Sequence, residues 1–368
     1  MSVLWGRASV RLIAAIFGIT ALLQVCLVPA VSLTFPSTGS EVREGAGLAH
    51  QIESHYRIIN GTPDAARVAR IGAALGNATQ RQDLNYHFRV VAGGDVASLS
   101  VPGGWVYVTD GMLRFSRTDD ELAAVLAHEL AHIDHHHYYI EQQEMRHLGI
   151  MLFLGATVLP RDPGPLNAYP QDLERDADVT AVGYLTKTGY TPVAMLTVLE
   201  HIVEVARRTG QLGASTADQG LSPFQERIAA LQTDFTQRHI PIIRRMPEGY
   251  LKITLDPPAP PDGQPVTIRV DGRPVLTLGA TVGGQVPLQR AQAVVDQLNA
   301  FFNSDPAPYD VHVSTVLDRT RLIGGDTVLY EIAPADAAYA QIEPGALAER
   351  IRSALSQTIA DAPYNHPF

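Results

Sequence analysis

His128-Glu129-Leu130-Ala131-His132 is an HExxH sequence set inside a stretch patterned as a helix, and it constrains the chain more than any other segment. Thr118, followed by Asp119, Asp120 and Glu121, reads as an N-cap with a capping box whose acidic residues complement the positive end of the helix dipole. Leu122, Val125, Leu126, Leu130 and Ile133 then recur at helical spacing and give one apolar stripe. A helix turns once in about 3.6 residues, so His128 and His132 share a face. Both imidazoles can then reach one Zn2+ while Glu129 reaches a metal-bound water. This pattern predicts peptide hydrolysis; the plainer alternative is an amphipathic helix with surface histidines.

A catalytic zinc site needs a third protein ligand and keeps one position open. The stretch Leu173 to Leu185 has helical periodicity, and Glu174 and Asp178 stand four apart on one face. Glu174 could bind the metal while Asp178 accepts a hydrogen bond from a ligating imidazole, fixing its tautomer. Alone, the same segment would read as a solvated acidic face. Upstream, Pro102-Gly103-Gly104 is a turn signal, and Trp105, Val106, Tyr107 and Val108 favour a strand.

These segments resemble a known family over roughly residues 45 to 235: the HExxH zinc metallopeptidases of the CAAX prenyl protease, HtpX and periplasmic BepA-like type. The likeness rests on His128 to His132 continuing to His137. It rests also on Glu174-Arg175-Asp176-Ala177-Asp178, which matches the family's ExxAD, and on Val101 to Leu113, similar to its PGG strand and following helix start. The resemblance implies a mainly helical, zincin-type metalloprotease domain with a small β-sheet. It implies one Zn2+ per chain held by His128, His132 and Glu174, with Glu129 as the base that activates zinc-bound water and Asp178 behind the ligands. Arg227 and His137 are expected as transition-state or structural support. The family's strand beside the cleft makes Pro102, Gly103, Gly104 and Trp105 the expected substrate edge, open to pairing by strand addition. A plain core hairpin is the other reading of that segment.

Two departures stand out. Where relatives carry Asn-Ala-Phe before the turn, this chain has Ala97-Ser98-Leu99, which removes a polar group near the substrate edge. Relatives also place a histidine six residues before the late arginine, and that position is Leu221. His135 and His136 are expected to be solvated at the end of the motif helix.

The N-terminus has Arg7 and Arg11 followed by an uncharged apolar run, and Val28-Pro29-Ala30 fits a cleavage site. Residues 1–30 therefore read as a secretory signal peptide, or alternatively as an uncleaved membrane anchor. Cys26, the only cysteine, lies within this segment. Cleavage would leave no disulfide and would take the formal charge from -10 to -12 by removing the two arginines. An acidic chain without a basic cluster is a poor nucleic-acid binder. The expected setting is periplasmic or otherwise extracytoplasmic, with membrane contact only through an uncleaved N-terminus. The apolar run Leu148 to Leu159 is too short to span a bilayer and reads as a buried helix.

With 368 residues, 46% hydrophobic and 18% charged, the chain is long enough for two domains. The expected organisation is α+β: a protease domain over 41–240, a Pro-rich linker over 241–265 marked by Pro257, Pro258, Pro260 and Pro261, and a small α+β accessory domain over 266–360. In the last part, strands flank Asp271-Gly272, helices are expected over Pro287–Phe302 and Pro344–Ile359, and further strands over Asp310–Val316 and Thr327–Ile332. Val270 to Pro274, Gln289-Arg290-Ala291, Ala335-Asp336-Ala337 and Leu347-Ala348-Glu349 are similar to a small extracytoplasmic domain found ahead of some bacterial mechanosensitive channels. That likeness implies an adaptor or regulatory module in the envelope, which would reach an envelope protein partner.

Two functional classes follow. One is a zinc endopeptidase hydrolysing misfolded or misassembled envelope polypeptides; the other is a chaperone-like or scaffolding protein that keeps the protease fold with little turnover.

Overall fold

The computed structural model describes residues 33–147, 169–208 and 223–362. Residues 1–30, expected as a signal or anchor segment, the run Leu148 to Leu159 and Leu221 lie outside the described residues. The architecture is α+β, with two large hydrophobic cores that share no residue and a smaller third cluster of Ala49, Ile52, Val91, Val101 and Tyr107.

The first domain is built by α1 (Thr38–His55), β1 (Ile58–Ile59), α2 (Pro63–Gly76), β2 (His87–Val91), β3 (Ser98–Val101), β4 (Trp105–Thr109), α3 (Asp110–Phe115), α4 (Asp119–Asp134), α5 (His137–His147), α6 (Gln171–Thr188), α7 (Ala194–Arg208) and α8 (Pro223–Gln237). Helix α4 carries the HExxH residues in its C-terminal half. Thr118 caps it, its hydroxyl accepting from the Glu121 N–H at 3.2 Å, while the Glu121 carboxylate accepts from the Arg117 N–H at 2.8 Å. The single apolar stripe predicted for this helix understates its burial, because every residue from Leu122 to Ile133 is buried. Ala123, Ala124, Ala127 and Ala131 occupy the remaining faces, and their small side chains let β3 and α6 approach closely.

The strands form one sheet in the order β1-β2-β4-β3, with β2 and β4 parallel and the other pairs antiparallel. This corrects the expected substrate edge. Strand β4, which begins at Trp105, is paired on both sides and has no edge to offer. Pro102, Gly103 and Gly104 make the turn between β3 and β4, and that turn is packed from outside: a Cβ on Gly45 of α1 would lie 1.8 Å from the Pro102 carbonyl oxygen. Gly104 has φ +96, and a Cβ there would lie 2.4 Å from the Asn85 carbonyl oxygen, so only glycine fits. Trp105 stacks on His87 with ring centroids 4.1 Å apart. The edge strands, among the described residues, are the two-residue β1 and, on the side of β4, β3.

The second core begins earlier than the Pro-rich segment suggested. Within 241–265 the chain forms α9 (Arg245–Glu248) and β5 (Ile253–Asp256), and Tyr250 and Leu251 are already buried in the second core. The prolines lie between β5 and β6 (Val266–Val270), where they interrupt no ladder. Strand β6 is central to a sheet with β5 and β7 (Arg273–Leu278). Helix α10 (Pro287–Phe302), the antiparallel sheet β8 (Val311–Val316), β9 (Arg319–Gly324) and β10 (Thr327–Glu331), and the helices α11 (Pro334–Ala340) and α12 (Pro344–Ala360) complete it.

Candidate metal centre

Helices α4 and α6 pack along their length and bring the motif residues together. His128 Nε2 and His132 Nε2 are 3.0 Å apart, His128 Nε2 is 3.4 Å from Glu174 Oε2, and His132 Nε2 is 3.8 Å from Glu174 Oε1. All three side chains are buried. Donors arranged tetrahedrally at about 2.1 Å from one ion lie about 3.4 Å from each other. The three atoms thus have the spacing of a ligand set. The chemistry of the donors agrees, since two imidazoles and a carboxylate suit zinc. Glu174 Oε2 also lacks a well-directed hydrogen bond, although Arg227 Nη1 lies 2.8 Å away. A buried carboxylate oxygen in that position has capacity left for a cation.

Asp178 lies one helical turn beyond Glu174, and its Oδ1 is 3.0 Å from His128 Nδ1. As a ligand, His128 would be neutral, with its hydrogen on Nδ1 facing that carboxylate and its Nε2 lone pair towards the cluster. Arg227, fully buried on α8, reaches across with Nε donating to Asp178 Oδ2 at 2.8 Å and Nη2 to Oδ1 at 2.7 Å. Its third guanidinium nitrogen, Nη1, lies 2.8 Å from Glu174 Oε2, so one cation pairs with both carboxylates. Burial disfavours charge on Asp178, but Arg227 and His128 outweigh it and hold the carboxyl below its ordinary range. Burial, followed by the positive field of His128, His137 and Arg227, depresses His132 and keeps it neutral, as a ligand must be. On His128 burial also opposes charge, yet the Asp178 and Glu174 carboxylates raise it to about 9 without an ion.

Glu129 is buried beside the cluster, and Ser98 donates its hydroxyl hydrogen to Glu129 Oε1 at 2.7 Å. Burial raises the Glu129 carboxyl above its ordinary value, against the lowering effects of His128 and the Ser98 and Ser100 hydroxyls. Ser98 thus supplies a polar group one residue past Ala97, where the family comparison had led us to expect its loss. The Ser98 pairing could not be foreseen, because it depends on the β3–β4 register that sets Ser98 opposite Val108.

The histidines after the motif are not simply solvated. His135 ends α4, His136 adopts a left-handed backbone at φ 56, and the chain turns back so that His137 starts α5. His137 Nδ1 then lies 2.8 Å from His132 Nδ1, and His137 Nε2 lies 3.1 Å from Asp176 Oδ2. His135 Nδ1 contacts the same Asp176 oxygen. His136 is held between Arg81 and Glu41. Tyr169 stacks on His132, with ring centroids 4.3 Å apart, and its backbone N–H donates to Glu174 Oε1 at 3.2 Å. No periodicity in the sequence marked Tyr169.

Residues 63–164 match the family model described as Peptidase family M48. Over that span the chain is similar to peptidase family M48. Residues 265–362 match a model of a domain of unknown function, DUF8459, so the second domain is uncharacterised. The Beta-barrel assembly-enhancing protease of Escherichia coli (strain K12) is 22% identical over 190 residues, covering 46% of this chain and 39% of that protein. The Mitochondrial metalloendopeptidase OMA1 of Schizosaccharomyces pombe (strain 972 / ATCC 24843) is 26% identical over 174 residues, covering 45% of this chain and 51% of that protein. This chain therefore spans about half the length, or less, of these curated relatives. Among the described residues no helix is long and apolar enough to cross a membrane.

Proposed function

We propose that this M48 protein is a zinc-dependent endopeptidase acting on misfolded or misassembled envelope polypeptides. One observation carries the reading: three buried donor atoms, on His128, His132 and Glu174, converge beside the buried carboxylate of Glu129 at the free edge of a sheet. His128, His132 and Glu174 would hold the ion. When bound, zinc supplies Lewis acidity, polarising a scissile carbonyl and lowering the pKa of water.

The chain's own residues do the rest. Asp178 and Arg227 fix the orientation of His128 and Glu174 from behind. Ser98 occupies Oε1 of Glu129, which leaves the other carboxylate oxygen to take a proton from the attacking water and return it to the leaving amine. The Ala97 carbonyl accepts from the Thr109 N–H, so by antiparallel alternation the backbone groups of Ser98 and Ser100 point to the open side of β3. An extended substrate would pair there, its scissile bond carried past Glu129. A mostly apolar cavity lined by Ile52, Tyr56, Ala97, Leu99 and Tyr107 adjoins the same strand and would take an apolar substrate side chain. The second domain would dock the protease to an envelope protein partner, and export of the chain is part of the same reading.

Zinc content and casein cleavage of the wild type and Glu129→Gln test the activity. Both proteins should hold one zinc per chain, with cleavage by the variant reduced by about 100-fold or more. Zinc bound by both without cleavage by either would overturn the enzyme reading in favour of a scaffolding role.

A further inference from the structure

Beside the centre just described lies a second group of donors that the proposed reaction does not use. His135 Nδ1, His137 Nε2 and Asp176 Oδ2 lie within 4.8 Å of one another. His137 is buried and anchors the inner end of the group, whereas His135 and Asp176 stand at the protein surface. An ion could reach them from solvent. Two imidazoles and one carboxylate favour zinc, cobalt or nickel over magnesium or calcium, which prefer all-oxygen shells.

The two groups touch through a single contact, the 2.8 Å approach of His132 Nδ1 to His137 Nδ1. A neutral imidazole carries one hydrogen. If His132 binds an ion through Nε2, its hydrogen sits on Nδ1 and points at His137 Nδ1. His137 accepts it there and must carry its own hydrogen on Nε2, directed at Asp176 Oδ2, 3.1 Å away. An ion on His137 Nε2 displaces that hydrogen to Nδ1, where it would face the His132 hydrogen. The clash is relieved only if His132 moves its hydrogen to Nε2, the atom that faces His128 and Glu174.

We propose that His135, His137 and Asp176 form a second divalent transition-metal site, and that its filling antagonises filling of the His128, His132 and Glu174 centre through the one hydrogen held between His132 and His137. The antagonism rests on the ligand set proposed above and is reciprocal, as any coupling between two binding equilibria must be. It makes the protease self-limiting at high zinc.

The test uses the full chain stripped of metal and titrated with Zn2+ against a chromophoric chelator, for wild type, His135→Ala and Glu174→Gln, with circular dichroism to confirm folding. Wild type should bind one ion tightly and a second at least about tenfold more weakly, and casein cleavage should fall as the second fills. His135→Ala should keep the tight ion, lose the weak one and lose inhibition by excess zinc. Glu174→Gln should lose the tight ion, and its remaining site should bind about fivefold or more tightly than the weak site of wild type. A weak ion that persists in His135→Ala overturns the second site alone. Equal affinity of the remaining site in Glu174→Gln and the wild-type weak site overturns the antagonism. A tight ion retained in Glu174→Gln overturns the ligand set itself, and the antagonism with it.

Discussion

Glu129 sits where burial raises its carboxyl and where His128 and the Ser98 and Ser100 hydroxyls work against that rise. Ser98→Ala removes a donor that favours the charged form, so the Glu129 carboxyl should rise further and the acidic limb of the kcat/KM profile should move to higher pH. An acidic limb that stays in place would show that Ser98 does not set the protonation of Glu129. Arg227 is bound more tightly still, fully buried and paired with both Glu174 and Asp178. Arg227→Met leaves two buried carboxylates without their cation, and the metal-free protein should lose about 3–5 kcal/mol of stability in urea unfolding. Zinc should restore part of the loss, since the ion replaces the missing positive charge. Glu174 and Asp178 were legible in the sequence because four-residue spacing on a helix is a local property. Arg227 could be placed in sequence but not in role: whether it faces substrate or stands behind the ligands depends on how α6 and α8 meet.

Helix α4 is held at both ends as well as along its length. At its C-terminal end Asp134 accepts from the Gln80 N–H and from the Tyr86 hydroxyl, each at 2.8 Å, and also from Tyr184. At its N-terminal end His201 of α7 lies 3.1 Å from Glu121 and 3.5 Å from Glu248 of α9. Burial opposes charge on His201, but the two glutamates prevail and raise it to about 9. A histidine raised on folding stabilises fully below its unfolded value of about 6.5, and the contribution is lost as pH rises through the folded value. The melting temperature of the wild type should therefore fall towards that of His201→Gln between pH 6.5 and 9. A constant gap across this window would rule out the ion pair as the cause. Of these elements α4 was the most legible, since capping, periodicity and motif agreed. Strand order was the least: β2 and β4 pair in parallel across an intervening strand, and parallel pairing leaves no turn signal at the point of contact. In the second domain the same logic holds. The hairpin at Asp271-Gly272 and helix α10 were visible, but β9 was missed because its turn uses Leu317-Asp318, both at positive φ, in place of the usual Asn-Gly or Asp-Gly pair.

At the scale of the molecule, two separate cores meet through a short polar junction. Arg244 donates to both Glu200 oxygens at 2.8 Å and lies 3.4 Å from Asp305, while Arg245 donates to Asn303 at 2.7 Å, Asn299 at 2.9 Å and the Leu251 carbonyl at 3.2 Å. Neighbouring arginines thus grip α7 of the first domain and the end of α10 in the second. A junction of this kind adds little to either core but couples their unfolding. Calorimetry of an Arg244→Ala, Arg245→Ala double variant should resolve two transitions where the wild type gives a narrower, overlapping profile. An unchanged profile would place the coupling elsewhere. The α+β character was legible in composition, but the place of the prolines was not: they punctuate the loop between β5 and β6, after Tyr250 and Leu251 have already joined the second core.

The left-handed turn at His136 carries a consequence for reading relatives of this chain. In an unbroken helix, residues five apart lie about 140° around the axis from each other, so His137 could never meet His132. The contact exists because the helix stops and restarts between them. A chain with one residue inserted at that break would still spell the metallopeptidase motif in full, yet its fifth histidine would swing away and leave His132 unsupported. For this fold the punctuation after the motif says as much about a working centre as the letters within it.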